Sequence, residues 1–338
     1  MARSEITIDL GALRRNVRRL LDVLDGAELW AVVKANGYGH GAADCAGAAL
    51  GAGATVLCVA TLSEALELRP RFADARIVVM APVRGREVAE ARDARLELVV
   101  GGEIPEGIPV HVKLDTGMGR WGVSELAGLR GNVVGLMTHL ATADSDPVFA
   151  RRQLERFREA TAPYPGLVRH AANSAAALRL PESHLDAARC GLALYGLSPF
   201  GTDPADDGLE PVLGWRSEVA LARLLRPGES TGYGRAFVAE RETWIGIVPV
   251  GYADGFRRDL TGTRVLVDGE PAEVVGVVSM DAFAVELTGP LAAGTPVTIV
   301  GPGAPLEAHA RVAGTISYEL ATGIESAPSR ARRLLAGG

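Results

Sequence analysis

The chain has 338 residues, 48% of them hydrophobic and 22% charged, with a formal net charge of −6. That length exceeds a typical single core and predicts two domains, while the acidic balance argues against a general nucleic-acid surface. Three cysteines without a CxxC pair, a start (MARSEITIDL) without an apolar signal-peptide core, and no run near the ~20 apolar residues of a membrane helix predict a cytoplasmic protein with no membrane contact.

Residues 5–9 read as a strand, and Asp9 caps a helix over 11–24 whose Leu13, Val17, Leu20, Leu21 and Leu24 form one apolar stripe. Eight short strands rich in Val, Ile and Leu follow, at 28–33, 55–60, 76–80, 96–100, 109–114, 133–138, 166–170 and 185–189. Their consecutive apolar residues suit strands covered on both faces. Helical patterns at 63–68 and 147–160 lie between them. This α/β alternation predicts an N-terminal (β/α)8 barrel of the TIM type, whose functional residues lie where strands run into the following loops. Residues 101–108 (GGEIPEGI) are too short for a helical crossover, so either one crossover helix is missing, the favoured reading because the flanking segments look sound, or the strand count is off by one.

A Gly-, Pro- and Asp-rich linker at 199–208 ends this region. Alternating runs at 217–225, 244–250, 263–267 and 273–278 then predict a mostly-β domain, with a tight hairpin at Val267-Asp268-Gly269-Glu270. Strand 5–9 precedes the first helix and is placed in that β domain. The expected domains are a barrel at 10–208 and a β domain built from 1–9 plus 209–338.

Residues 30–41 read WAVVKANGYGHG. Lys34 at the tip of a buried strand must be paired, exposed or neutral, and a desolvated neutral lysine is the nucleophile that Schiff-base chemistry requires. Residues 111–122, HVKLDTGMGRWG, place Arg120 in a glycine-rich loop after a strand, where its planar fork suits a carboxylate. His139 and Asp144 lie in THLATAD (138–144) after the sixth strand. In HAANSAA (170–176), Asn173 and Ser174 open a helix whose amides form an anion cradle or a simple N-cap. RCGLALYGLSP (189–199) sets Arg189 on the barrel floor, and Gly191 lets a phosphate approach the backbone. No GxGxxG follows the first strand, against a dinucleotide-binding fold.

These strings resemble those of alanine racemases, and the likeness runs from about Glu5 to Ser326. The resemblance implies a homodimeric enzyme that uses pyridoxal 5′-phosphate and no metal, interconverting L- and D-alanine. Lys34 would hold the cofactor and serve as a base on one face of the substrate, and Tyr38, Asn173, Ser174, Gly191, Leu192 and Tyr318 would surround the phosphate. Arg189 would meet the pyridine nitrogen, where an arginine rather than a carboxylate leaves the ring unprotonated and suits racemisation. His139 would link Arg189 to a catalytic tyrosine. STGYGRAF (230–237) supplies that tyrosine, Tyr233, as the second base, reaching the other subunit's site. A free tyrosine, with a pKa of ~10, is a poor base, so His139 and Arg189 would favour its phenolate. Arg120 and the Met280 amide would bind the substrate carboxylate. Tyr252 and Asp144 would line the entrance, and Tyr318 the inner gate. Lys113 is either carbamylated, as the matching lysine of the family often is, or paired with Asp115. Two other functions stay open: a racemase of serine or of several small amino acids, and a non-catalytic carrier of the same cofactor with a similar barrel.

Overall fold

The computed structural model describes residues 3–337. Contacts divide the chain into two compact units: Leu13–Phe200 with Pro204–Glu210, and the N-terminal residues up to Ala12 with Gly201–Asp203 and the chain from Pro211 onward.

The first unit is a closed barrel of eight parallel strands: Glu28–Val32, Val56–Val59, Arg76–Val79, Glu97–Val100, Val110–Lys113, Val133–Met137, Val168–His170 and Ala187–Cys190. The eighth pairs with the first, Trp30 opposite Arg189, which closes the ring. Side chains alternating at period two fill the lumen with Trp30, Val32, Val56, Cys58, Val78, Val99, Met137 and Ala187, all essentially buried. Gly135 has a steric reason to lack a side chain, since a Cβ there would lie 2.1 Å from His111 Nδ1.

Helices cover the barrel where the chain can start them. Asp9 Oδ1 accepts the Ala12 N–H at 2.9 Å in the first turn of the helix Leu10–Leu24. Thr61 and Glu64 form a capping box at Leu62–Leu68, and Asp146 with Pro147 opens Pro147–Thr161. The expected gap between the fourth and fifth strands is present, with no helix there. The expectation of one missing helix is corrected, however: among the described residues the crossover between the fifth and sixth strands also carries none. That segment is rich in glycine and is folded around Asp115, whose carboxylate accepts the N–H groups of Gly117, Met118 and Gly119 at 2.8–3.1 Å. A bridge between Leu114 and Val123 closes it.

The second unit is a nine-stranded sheet in the order Leu221–Leu225, Thr243–Val248, Phe283–Leu287, Glu270–Val275, Arg264–Val267, Pro296–Val300, Leu213–Glu218, Glu5–Asp9 and Arg332–Ala336. The run 217–225, expected as one strand, is two. Leu213–Glu218 pairs with Pro296–Val300, then the chain turns at Val219–Ala220 so that Leu221–Leu225 pairs with Thr243–Val248. Strand Glu5–Asp9 does join this sheet, antiparallel to Leu213–Glu218 and parallel to Arg332–Ala336. The hairpin forms as expected: Val267 faces Glu270, with Asp268 at φ 51° and Gly269 at φ 85°.

Candidate active site

The C-terminal ends of the barrel strands gather the polar residues of the first unit. Lys34 follows the first strand and opens a left-handed turn, with Ala35, Asn36 and Gly37 at φ 51–63° and Tyr38 at φ 53°. Left-handed backbone costs roughly 1–2 kcal/mol for each residue bearing a Cβ, so the surroundings must impose it. Glu64 Oε1 accepts the Ala35 N–H at 2.7 Å, and Asn36 Oδ1 accepts that of Ala42 at 2.9 Å. Gly37 and Gly39 donate to Val33 O and Ala35 O. Below the turn, buried Tyr195 donates its hydroxyl to Val32 O at 3.1 Å.

Lys34 Nζ sits 5.9 Å from the centroid of the Tyr38 ring. Burial lowers its pKa from the ordinary lysine value, helped by Arg120 and Arg189 and opposed by Glu64. Tyr38 faces the backbone at the end of the eighth strand, where a Cβ on Gly191 would lie 2.6 Å from its Oη. Ser174 Oγ accepts the N–H groups of Gly191 (3.1 Å) and Ala193 (3.3 Å), so the loops after the seventh and eighth strands meet there. Asn173 caps the helix Ser174–Arg179 through the Ala176 N–H. Leu192 begins a single 3-10 turn, Leu192–Tyr195.

Arg189 is buried on the barrel floor. Its Nη1 donates to His170 O (2.8 Å) and His170 Nδ1 (2.9 Å), and its Nη2 to Thr138 O (2.9 Å) and His139 Nδ1 (3.3 Å). Nε is the guanidinium nitrogen outside these bonds. Burial lowers the pKa of Arg189 to about 10, which leaves it cationic at neutral pH. The bonds then fix the histidine tautomers in series. His170 Nδ1 accepts, so its Nε2 carries the proton and donates to His111 Nδ1 at 3.0 Å. His111 Nε2 in turn donates to Glu97 Oε2 at 2.9 Å, and Arg76 grips the same carboxylate at 2.7 and 3.0 Å. Burial holds both imidazoles below their ordinary pKa, His170 well below it. Burial also works against ionised Glu97, but its bonds to His111 and Arg76 outweigh that and hold it at about 2. A neutral histidine pair thus joins a buried cation to a half-buried anion across the barrel. His139 is likewise neutral: burial, then Arg189, Lys113, Arg120 and Lys34, press it down to about 3.

Lys113 ends the fifth strand and is 3% exposed. Burial, Arg120 and Arg189 lower its pKa to about 8 against the pull of Asp115. The alternative of an ordinary Lys113–Asp115 ion pair is not realised among the described residues, because Asp115 is turned to backbone amides. Lys113 Nζ and Arg120 instead lie 5.8 and 5.3 Å from the Trp121 ring. Arg120 is exposed, as is Asp144, which sits in the turn before Asp146.

In the second unit the expected residues stand out from the surface. Tyr233 is 71% exposed between Gly232 and Gly234, both at positive φ. Tyr252 and Met280 are 43% and 51% exposed and share one loop pair, where the Tyr252 N–H bonds Ser279 O and the Ala253 N–H bonds Met280 O, both at 3.0 Å. Asp281 is held by Arg3 and Arg330. Tyr318 is half-buried on the helix Ser317–Thr322.

Glu64, Glu97, His111, His170 and Trp121 belong to this site's surroundings without having been singled out by sequence. His111 shares strand parity with Lys113 and His170 ends a strand, so alternation carried a signal for both. Glu64 looks like an ordinary capping residue until its second oxygen is followed to Ala35. Among the described residues no cluster of His, Cys, Asp or Glu could hold a metal, and no helix is long and apolar enough to cross a membrane.

Residues 8–199 match the family model for the alanine racemase N-terminal domain, and residues 212–332 that for the alanine racemase C-terminal domain. The chain is 42% identical to the alanine racemase of Streptomyces coelicolor over 96% of its own length and 94% of that protein. It is 40% identical to alanine racemase 1 of Bacillus subtilis over 94% and 90%. Among solved structures, the biosynthetic alanine racemase of Pseudomonas aeruginosa superposes with a TM-score of 0.92 at 34% identity, covering 99% of this chain and 100% of that one. The enzyme of Streptomyces lavendulae gives 0.91 at 36%, covering 100% and 98%. The chain belongs to the alanine racemase family of isomerases.

Proposed function

We propose that the protein interconverts L- and D-alanine with pyridoxal 5′-phosphate, using Lys34 as base on one face of Cα and Tyr233 of the partner subunit on the other. The barrel mouth fits that cofactor. Lys34 is desolvated, Tyr38 Oη and Ser174 converge on a Gly191 whose missing Cβ leaves room, and the Nε–H of Arg189 is the donor left for a ring nitrogen. When bound, pyridoxal phosphate accepts the electron pair released as the Cα–H bond breaks.

The observation that carries the proposal is the floor beneath the cofactor. An arginine with a pKa of about 10, anchored to neutral His170 and His139, donates a hydrogen bond but keeps its proton. Such a donor would leave a bound pyridine ring unprotonated and a weak electron sink, which favours prompt proton return by a nearby base over transamination. Lys34 Nζ would take the α-proton on its face of the substrate. His139, with Nδ1 accepting from Arg189, offers Nε2–H to the Tyr233 hydroxyl of the partner subunit and favours its phenolate. Exposure of Tyr233, Tyr252 and Met280 supports a homodimer in which these residues complete a neighbouring site. Arg120 and the Met280 amide bind the substrate carboxylate, Tyr252 and Asp144 line the entrance, and Tyr318 narrows the inner gate. The carrier alternative loses ground, since such carriers lack the β domain that residues 212–332 match.

Purified protein with pyridoxal phosphate is expected to convert L-alanine into a racemic mixture, with kcat/KM higher for L-Ala than for L-Ser or L-Lys. Unchanged optical rotation of L-alanine would overturn the proposal, and a preference for L-Ser would shift it to the serine-racemase alternative.

A further inference from the structure

Lys34 is followed by four residues of left-handed backbone, three of which carry a Cβ. Most of that turn is secured from within: Gly37 N–H to Val33 O, Gly39 N–H to Ala35 O and Gly41 N–H to Asn36 O. The Ala35 N–H comes before the turn's own ladder and, like the first amides of any helix, needs an acceptor from outside. Glu64 supplies it. Its Oε1 accepts from Ala35 at 2.7 Å, while its Oε2 accepts from Ala60 at 2.7 Å and Thr61 at 3.1 Å. A residue whose local task is to close the capping box of Leu62–Leu68 therefore also ties the loop after the first strand to the loop after the second. Three amides hold one carboxylate, which fixes its orientation.

The same carboxylate, bonded to the amide next to Lys34, also acts on the lysine through its charge. Of the charged groups acting on Lys34, Arg120 and Arg189 press its proton off and Glu64 alone holds it on. The Tyr38 ring centroid lies 5.9 Å from Lys34 Nζ, and His139, which also feels Lys34, is neutral.

We propose that Glu64 is a positioning residue for Lys34, pinning the Ala35 amide so that the left-handed turn aims the lysine and keeping a negative charge beside the residue that follows it. This rests on Lys34 being the cofactor's lysine, and wild-type protein is the control for that premise. Two variants separate the parts. Glu64→Gln keeps the shape and one acceptor oxygen but removes the charge. Glu64→Ala removes the pin as well.

Two readouts need no turnover. In apo-protein, the pH dependence of Lys34 acylation, read by mass spectrometry, gives the amine's titration, and its midpoint is expected to move to lower pH in Glu64→Gln. A purely structural role would leave that midpoint in place in a folded variant. Equilibrium binding of pyridoxal phosphate is expected to weaken roughly tenfold or more in Glu64→Ala, the size of losing a bond to a charged acceptor. Hydrogen exchange in wild type supplies a third test that survives any misfolding of the variants: the Ala35 amide is expected to be protected. An unshifted midpoint with unchanged cofactor binding in folded variants overturns the proposal, as does free exchange at Ala35. Failure of wild-type protein to bind the cofactor at all would instead overturn the premise.

Discussion

Replacing Gly191 with alanine perturbs one contact and almost nothing else. Gly191 has φ −117°, outside the left-handed region that favours glycine, so the substitution acts chiefly through its new side-chain contact. Its new Cβ would stand 2.6 Å from Tyr38 Oη, 2.9 Å from Cζ and 3.0 Å from Cε2. To restore an ordinary approach of 3.4 Å, the phenol must retreat by about 0.8 Å. Overpacking of this kind costs about 1–3 kcal/mol, which corresponds to roughly a fivefold to 150-fold effect where the displaced group binds a ligand. We therefore expect Gly191→Ala to weaken pyridoxal phosphate binding within that range. The thermal midpoint of the apo-protein should barely move, because a half-buried side chain can yield toward solvent. Equilibrium dialysis and thermal unfolding give the two numbers. A cycle with Tyr38→Phe sharpens the test: the partners touch, so their effects on binding should be strongly non-additive. Unchanged affinity, or simple additivity, would show that Tyr38 and Gly191 do not shape the cofactor's cradle.

Other expectations follow from the same geometry. Gly135→Ala puts a Cβ 2.1 Å from His111 Nδ1 and must break its bond with His170, so urea unfolding should show a loss of about 1–3 kcal/mol or more. Lys113 has its folded pKa lowered to about 8 from 10.5, so the unfolded chain binds more protons between those values and stability should rise with pH across that window. Lys113→Met should flatten that rise in denaturation curves measured at successive pH, whereas an equal rise in the variant would contradict the assignment.

Much of the barrel was legible because buried parallel strands announce themselves as short aliphatic runs, and all eight expected strands occur within two residues of their expected limits. The second helix-free crossover was not, because its length allows a helix and only the Asp115 turn, with three amides converging on one carboxylate, uses the chain differently. The split of 217–225 was hidden for a related reason: Val219 and Ala220 are as strand-like as their neighbours, and the change of partner lies in the sheet, not in the residue types. At the site, Lys34, Arg120 and Arg189 show themselves as cations among glycines and aliphatics. The left-handed turn after Lys34 does not, since Ala35 would prefer other backbone and its amide is held by Glu64, 29 residues away. The Arg189–His170–His111–Glu97 series draws on four strands, and only closure of the barrel brings them together.

The central claim, that Lys34 and Tyr233 act from different subunits on one substrate carbon, is tested most directly by complementation. Lys34→Ala and Tyr233→Phe chains, each nearly inactive alone, would be co-expressed and the mixed dimers assayed for formation of D-alanine. If each site takes its lysine from one chain and its tyrosine from the other, every heterodimer holds one intact site, and random pairing should restore roughly a quarter of wild-type activity. A mixture as inactive as its parents would contradict the account.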